Sequence, residues 1–257
     1  MSTLNAENAG RLLEIVEQRR QHLSSMIHNL NWLAVTLISG VWTFFITGFL
    51  EHSPFVNPNI NVEDAHPFTF SYIIMAAGIS SLILMLWRLY SRYLDSQISE
   101  LYPEILKYER ILGVSKTEGV AHYLARSNKK IENALDKLDE NKHLEFITQL
   151  VRDRHVGRRG TLFIDNLVNV AFVTFVGLVI TDLIFLCQSG QLEFLFKFDD
   201  INRIPIIASK LLGYLAIFGS FVIHIYITLF RFQRDPKDKH VNKIVASLES
   251  VEQAERS

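Results

Sequence analysis

The chain has 257 residues, 49% hydrophobic and 21% charged, with a formal net charge of −1. That balance argues against a protein built to bind nucleic acid through bulk positive charge. The single cysteine, Cys187, excludes an internal disulfide and any cysteine-rich metal or cluster site.

Residues 1–29 read as an N-terminal helix, with Leu12, Val16, Leu23, Ile27 and Leu30 on one face and Arg19 or Arg20 at the missing position. It leads into the first of four long apolar runs, 30–50, 68–90, 161–187 and 211–230. Each holds about 20 residues or more, enough to cross a hydrocarbon core of ~30 Å as a helix. No small-residue cleavage site follows the first run, so a retained anchor is expected rather than a removable signal.

The first connecting loop, 51–67, contains Glu51, Glu63 and Asp64, flanked by His52 and His66, and no Lys or Arg. A metal site from His52, Glu63, Asp64 and His66 matches no recognised ligand spacing, and a solvated loop or an acidic mouth that locally concentrates cations is preferred. Beyond the second run a helical stripe continues through Trp87, Tyr90, Leu94, Ile98, Leu101, Ile105, Tyr108 and Leu112, close to a heptad repeat. Pro103 should bend or loosen this helix near residue 99, and Gly113 should stop it. Ser115 and Glu118 match a capping box for a short helix to about Ser127. A longer helix is predicted from about Lys129, with Ile131, Leu135, Leu138, Phe146, Ile147, Leu150 and Val151 apolar. The charges between 115 and 142 nearly cancel, so the helix-turn-helix rhythm there does not imply DNA binding.

The segment 91–160 is thus a cytoplasmic helical region, too short for a sizeable core of its own and expected to lean on the membrane helices. After the third run comes the outer loop 188–210, whose stretch 191–205 carries Phe194, Phe196 and Phe198, ends at Pro205 and should lie along the outer interface. The tail 231–257 has a short stripe of Val241, Ile244, Leu248 and Val251. Lys and Arg number 3 before the first run, none in the first loop, 14 from Arg88 to Arg159, 3 from Lys197 to Lys210 and 6 from Arg231 onward. Alternate segments therefore hold 23 and 3, which places both termini and the central segment on the cytoplasmic side of the cell membrane. The fold class is all-α, with four transmembrane helices and a helical cytoplasmic extension.

Polar residues inside the runs are the candidate sites. Asp165, Asn169 and His224 form a candidate intramembrane cluster in the inner half, read first as an interhelical hydrogen bond and second as a proton path. Asp182 and Tyr214 are a candidate outer pair at matching depth, nearer the interface than mid-bilayer. Arg88, Arg92, Arg158 and Arg159 are candidate lipid-headgroup contacts. Leu94, Ile98, Leu101 and Ile105 are the candidate helix-packing stripe. Small residues mark packing seams at Thr36 and Gly40, at Ala77 and Ser81, and at Gly213, Ala216 and Ser220.

No phosphate-binding loop, nucleophile elbow or zinc-protease helix occurs, so a non-enzymatic protein without catalytic residues, metal or cofactor is expected. The leading reading is a homo-oligomeric pore or channel-like effector, gated or assembled through its cytoplasmic helices. Its partners would be the lipid bilayer and further copies of itself. The alternatives are a membrane scaffold or sensor subunit that binds a cytoplasmic protein, and a proton-coupled carrier using Asp165, Asn169 and His224.

Overall fold

The computed structural model describes residues 6–51, 62–114, 119, 129–152, 160–188, 204–228 and 238–255, with the side chains of 62–69, 141, 160–165, 206, 238–240 and 251–255 outside that description. Helices account for nearly all described residues, and no strand occurs among them. In chain order they are α1 (Ala6–Glu51), α2 (Val62–Glu100), α3 (Tyr102–Ile111), α4 (Lys129–Leu135), α5 (Glu140–Arg152), α6 (Gly160–Gln188), α7 (Ile204–Tyr226) and α8 (Asp238–Glu255). Four of these, α1, α2, α6 and α7, are long and apolar enough to cross a membrane. The predicted capping box at Ser115 and Glu118, Arg158, Arg159 and the three phenylalanines between 194 and 198 lie outside the described residues.

The chain divides into two compact units. One gathers three stretches, Met1–His28, Ser91–Leu162 and Leu229–Ser257; the other holds Asn29–Tyr90 and Phe163–Thr228.

In the three-stretch unit, proline chemistry decides where α2 ends. Pro103 has no amide hydrogen and sits in the first turn of α3, where none is needed. The chain tightens just before it: the Leu101 amide donates to the Ile98 carbonyl at 3.1 Å, three residues back. The stripe therefore continues across a break at Leu101, as its spacing predicts. Gly113 ends α3 with a φ of 69°, a left-handed turn that a side chain resists.

The single long helix predicted from Lys129 is instead two. His143, buried on α5, places Nε2 at 2.9 Å from the Leu135 carbonyl and 3.0 Å from the Leu138 carbonyl. It thereby satisfies carbonyls that an unbroken helix would have bonded internally. Asp136 and Asp139 fall in the turn between α4 and α5, where short polar side chains are at home.

Leu94, Ile98, Leu101 and Ile105 are all buried, in one core with Ile131, Leu135, Phe146, Ile147 and Leu150, with Val241, Ile244 and Leu248, and with Val16 and Ile27. Helix α3 packs on α5, while α8 packs on α4 and α5. The Lys142 ammonium adds a hydrogen bond to the Leu248 carbonyl at 3.0 Å. Each fully buried aliphatic side chain contributes roughly 1.5–3 kcal/mol. The segment 91–160 does not build this core alone: residues near both ends of the chain complete it, beside the support expected from the long apolar helices. The stripe is consumed inside one chain.

In the apolar unit, α6 presents Val168, Phe172, Phe175, Val179, Asp182 and Leu186, all buried at alternating spacings of four and three. Ile74, Ala77, Leu84 and Trp87 of α2, Tyr214 and Ile217 of α7 and Ala34 of α1 share that core. The Trp87 indole donates to the Asn31 side chain of α1 at 2.9 Å, and Trp42 stacks on Phe175 with ring centres 6.4 Å apart.

The seam of small residues predicted on α2 and α7 forms as expected. A side chain on Gly78 would come within 2.9 Å of the Gly213 Cα, so the two backbones approach closely here. The Ser81 hydroxyl accompanies that approach, bonding the Gly78 carbonyl at 2.7 Å and the Ala216 carbonyl at 3.2 Å. Gly213→Ala would set its Cβ 2.7 Å from the Ile74 Cγ2 and 2.9 Å from the Ile74 carbonyl oxygen. It is expected to cost about 2 kcal/mol through overpacking. Gly219→Ala, with nothing within 4 Å, should be neutral or slightly stabilising. Equal melting temperatures for the two variants in detergent would refute the close crossing.

Candidate functional site

Two polar clusters occupy the apolar unit, each built on buried charged or polar side chains. The inner one joins three helices. His224 on α7 and Asn169 on α6 meet as their matched depths predict, with His224 Nε2 2.6 Å from Asn169 Oδ1. Arg88 of α2, only 1% exposed, completes the cluster. Its guanidinium donates to His224 Nδ1, to the His224 carbonyl at 3.2 Å and to the Thr228 hydroxyl at 2.8 Å. Because Arg88 can only donate, Nδ1 must accept, so the imidazole carries its proton on Nε2 and gives it to Asn169. The ring also lies against Phe172, with centres 4.9 Å apart. Asp165 falls within α6, one turn before Asn169, but its side chain is outside the described residues.

This placement corrects the reading of Arg88 and Arg92 as headgroup contacts. Arg88 is inside the apolar unit, and Arg92, in the three-stretch unit, is only 6% exposed. Arginines close to the end of an apolar run look like interfacial anchors, yet Arg88 shares the buried helical face of Ser81 and Leu84.

The outer cluster joins α6 and α7. Lys210 Nζ lies 3.1 and 3.0 Å from the two Asp182 carboxylate oxygens, and the Tyr214 hydroxyl donates to Asp182 Oδ2. Asp182 and Lys210 expose no surface at all. The predicted pair of Asp182 and Tyr214 is brought together, buried between α6 and α7, and it has a third member. A fourth run that starts at residue 211 places Lys210 in the preceding loop, so the expectation from sequence does not include it. The sequence held a usable signal: Pro205 suits a helix start, and Lys210 and Tyr214 are one turn apart.

Asn169 and Asp182 are 13 positions apart on α6, about 20 Å along the axis. Buried Phe172, Phe175, Val179 and Ile217 fill the core between those levels. The clusters are therefore separate. Among the described residues no three His, Cys, Asp or Glu side chains are grouped to hold a metal ion. His52 lies outside the described residues, and Glu63, Asp64 and His66 belong to α2 with side chains outside that description.

His224→Ala should strip the acceptor from a buried guanidinium and open a void beside Phe172. The expected loss is about 1–3 kcal/mol, read as a lower melting temperature. His224→Gln, which keeps an acceptor, should recover part of it. Full stability of the alanine variant would show that the contact carries no weight. No family model, curated protein or solved structure matches the chain.

Proposed function

We propose that this is a non-enzymatic multi-pass protein of the cell membrane that assembles from several copies into a pore-like effector, with both termini cytoplasmic. The three stretches flanking the apolar helices share one hydrophobic core, which supports putting them on one side of the bilayer. Setting aside the buried Arg88 and Lys210, alternate segments still hold 22 and 2 basic residues, which supports the cytoplasmic side. Reporter fusions after residues 60, 130, 200 and 250 are expected to signal outside, inside, outside and inside. An outside signal at 130 would overturn this topology.

The pore-like reading is carried by the outward line of α1. Only 6% of the apolar stretch of α1 is buried, against 56%, 28% and 39% for α2, α6 and α7. Ala34 and Ile38 mark its packed side. At 3.6 residues per turn, Thr36, Gly40, Thr43 and Thr47 lie together about half a turn away from those two, and all four are exposed. Leu33, Leu37 and Phe44 flank the line on one side and Val35 and Ile46 on the other, all exposed.

A helix facing lipid alone would carry its most apolar residues farthest outward, but here, between exposed Trp32 and Leu50 at the two ends of the same line, the outward positions are three threonines and a glycine. The Thr43 and Thr47 hydroxyls bond carbonyls one turn back, at 2.8 and 2.9 Å, which lets them reside in an apolar setting. With the apolar flanks meeting neighbouring copies, the hydroxyl line would face a central axis. The purified particle in mild detergent should then weigh several times the 29.6 kDa chain and pass ions passively in liposomes. In a Cys187→Ser background, cysteines at Thr36 and Thr43 should react with water-borne thiol reagents, and those at Leu37 should not. A monomeric particle would end this reading.

A further inference from the structure

Within the three-stretch unit, α4 and α8 pack together but leave a groove of about 220 Å³ between them. Its floor is apolar, made by the buried side chains of Ala134 on α4 and of Val241 and Val245 on α8. Small residues keep it from closing. Ala134 on the floor and Ala246 on the exposed rim stand where larger aliphatic side chains would fill the space, as they do in helices packed for stability alone.

The two walls carry different chemistry. On one side are Lys130 and Asn133 of α4 and then Lys137. Lys137 keeps the helical spacing, because the Ala134 carbonyl still accepts from the Lys137 amide at 3.3 Å and from the Leu138 amide at 3.2 Å. Positions 130, 133 and 137 therefore share one face, with the asparagine between the two lysines. On the other side Asn242, Ala246 and Glu249 share a face of α8 by the same rule. Two ammoniums about 10 Å apart along the axis, on long flexible stems, can converge on one anionic group, and the Asn133 amide can donate to it as well. A phosphate monoester suits that cradle, with a charge of roughly −1.5 to −2 at neutral pH and three acceptor oxygens. Glu249 repels such a group from its own wall but accepts from hydroxyl or amine hydrogens, while Asn242 both donates and accepts. The volume sets the size: drug-sized ligands fill roughly 300–1,000 Å³, so the occupant is smaller.

We propose that the groove between α4 and α8 binds a small phosphate monoester that carries hydroxyl or amine groups, of the size of a sugar phosphate or a mononucleotide. Its phosphate lies between Lys130 and Lys137, its donors meet Glu249 and Asn242, and its carbon frame rests on Ala134, Val241 and Val245. Occupancy bridges α4 and α8 and so fastens α8 to the central segment. The site belongs to one chain and does not depend on the α1 line or on assembly.

The test is the melting temperature of the full chain in detergent with glycerol 3-phosphate, ribose 5-phosphate or adenosine 5′-monophosphate at millimolar concentrations. At least one of them should raise it saturably, by roughly 5 °C near a hundred-fold excess over Kd. Glycerol, ribose, adenosine, inorganic phosphate and sulfate at equal ionic strength should not. Lys130→Met and Lys137→Met should each weaken the response about ten-fold or more, since each removes a charge-assisted contact. Ala246→Leu, which fills the groove from its exposed rim, should abolish it, and Lys243→Met, at an exposed lysine of α8 outside the groove, should leave it unchanged. No shift of the unaltered protein with any of the three monoesters, or an equal shift with inorganic phosphate or sulfate, would overturn the proposal. A full response in the Ala246→Leu variant would overturn it too, by placing the binding elsewhere. Because the unaltered protein is decisive by itself, a variant that fails to fold does not blunt the test. Neither particle mass nor flux enters it, so its failure and that of the pore-like reading are told apart.

Discussion

Replacing Ile98 and Leu101 together with Asp is expected to unfold the three-stretch unit outright. Both side chains are buried in the core shared by α2, α3, α5 and α8. Each substitution removes roughly 2 kcal/mol of apolar burial and forces a carboxylate into a buried apolar site, for a combined loss above about 4 kcal/mol apiece. Two such losses match or exceed the whole stability of a typical domain, about 5–15 kcal/mol. The measurable result is rapid proteolysis between residues 91 and 152 and a loss of helical circular dichroism. Ile15→Asp, at a well-exposed position of α1, should change stability by less than about 0.5 kcal/mol. Any change of particle mass in the double variant would follow from unfolding, because the stripe is covered within the chain. A double variant that resists protease like the parent would show that this core is not formed.

The second large effect concerns Asp182 and Lys210. Either Lys210→Met or Asp182→Leu alone leaves one buried charge without its partner, at an expected cost of about 3–5 kcal/mol. The double substitution removes both charges and fills the space with hydrocarbon, so it should lie close to the parent in stability. A coupling of that size is far from additive and is read from a four-member cycle of denaturation in bicelles. Additive losses would mean that the two groups do not stabilise one another.

The parts of this fold that announce themselves in the sequence are those set by local chemistry. Apolar runs of adequate length become α1, α2, α6 and α7, Pro103 breaks the helix at Leu101, and Gly113 ends α3. Counting residues inward from the run ends pairs Asn169 with His224 and Asp182 with Tyr214, because depth along straight helices is nearly fixed by the rise per residue. What stayed hidden depends on partners distant in sequence. Periodicity identified the apolar face of residues 94–105, but nothing local shows that Val16 and Leu248 cover it. A cation near a run end reads as solvated until its acceptor is known, which is why sequence alone assigns Arg88 to headgroups and Lys210 to a loop. The turn that divides α4 from α5 depends on His143 finding two carbonyls, a contact that a sequence count cannot reveal.

The shared core of Val16, Ile98 and Leu248 has a consequence for how the protein is made. Between Val16 and Leu248 the ribosome must produce all four long apolar helices. The unit therefore cannot close during synthesis of its first two stretches, and the exposed faces of α3 and α5 must wait, shielded by chaperones or the insertion machinery. Under the proposed topology, closure would report that every intervening helix has been threaded, since one misplaced helix would leave α8 across the bilayer from its partners. A chain that inserts incorrectly would display an open apolar surface to cellular proteases, so the arrangement doubles as a built-in check on biogenesis.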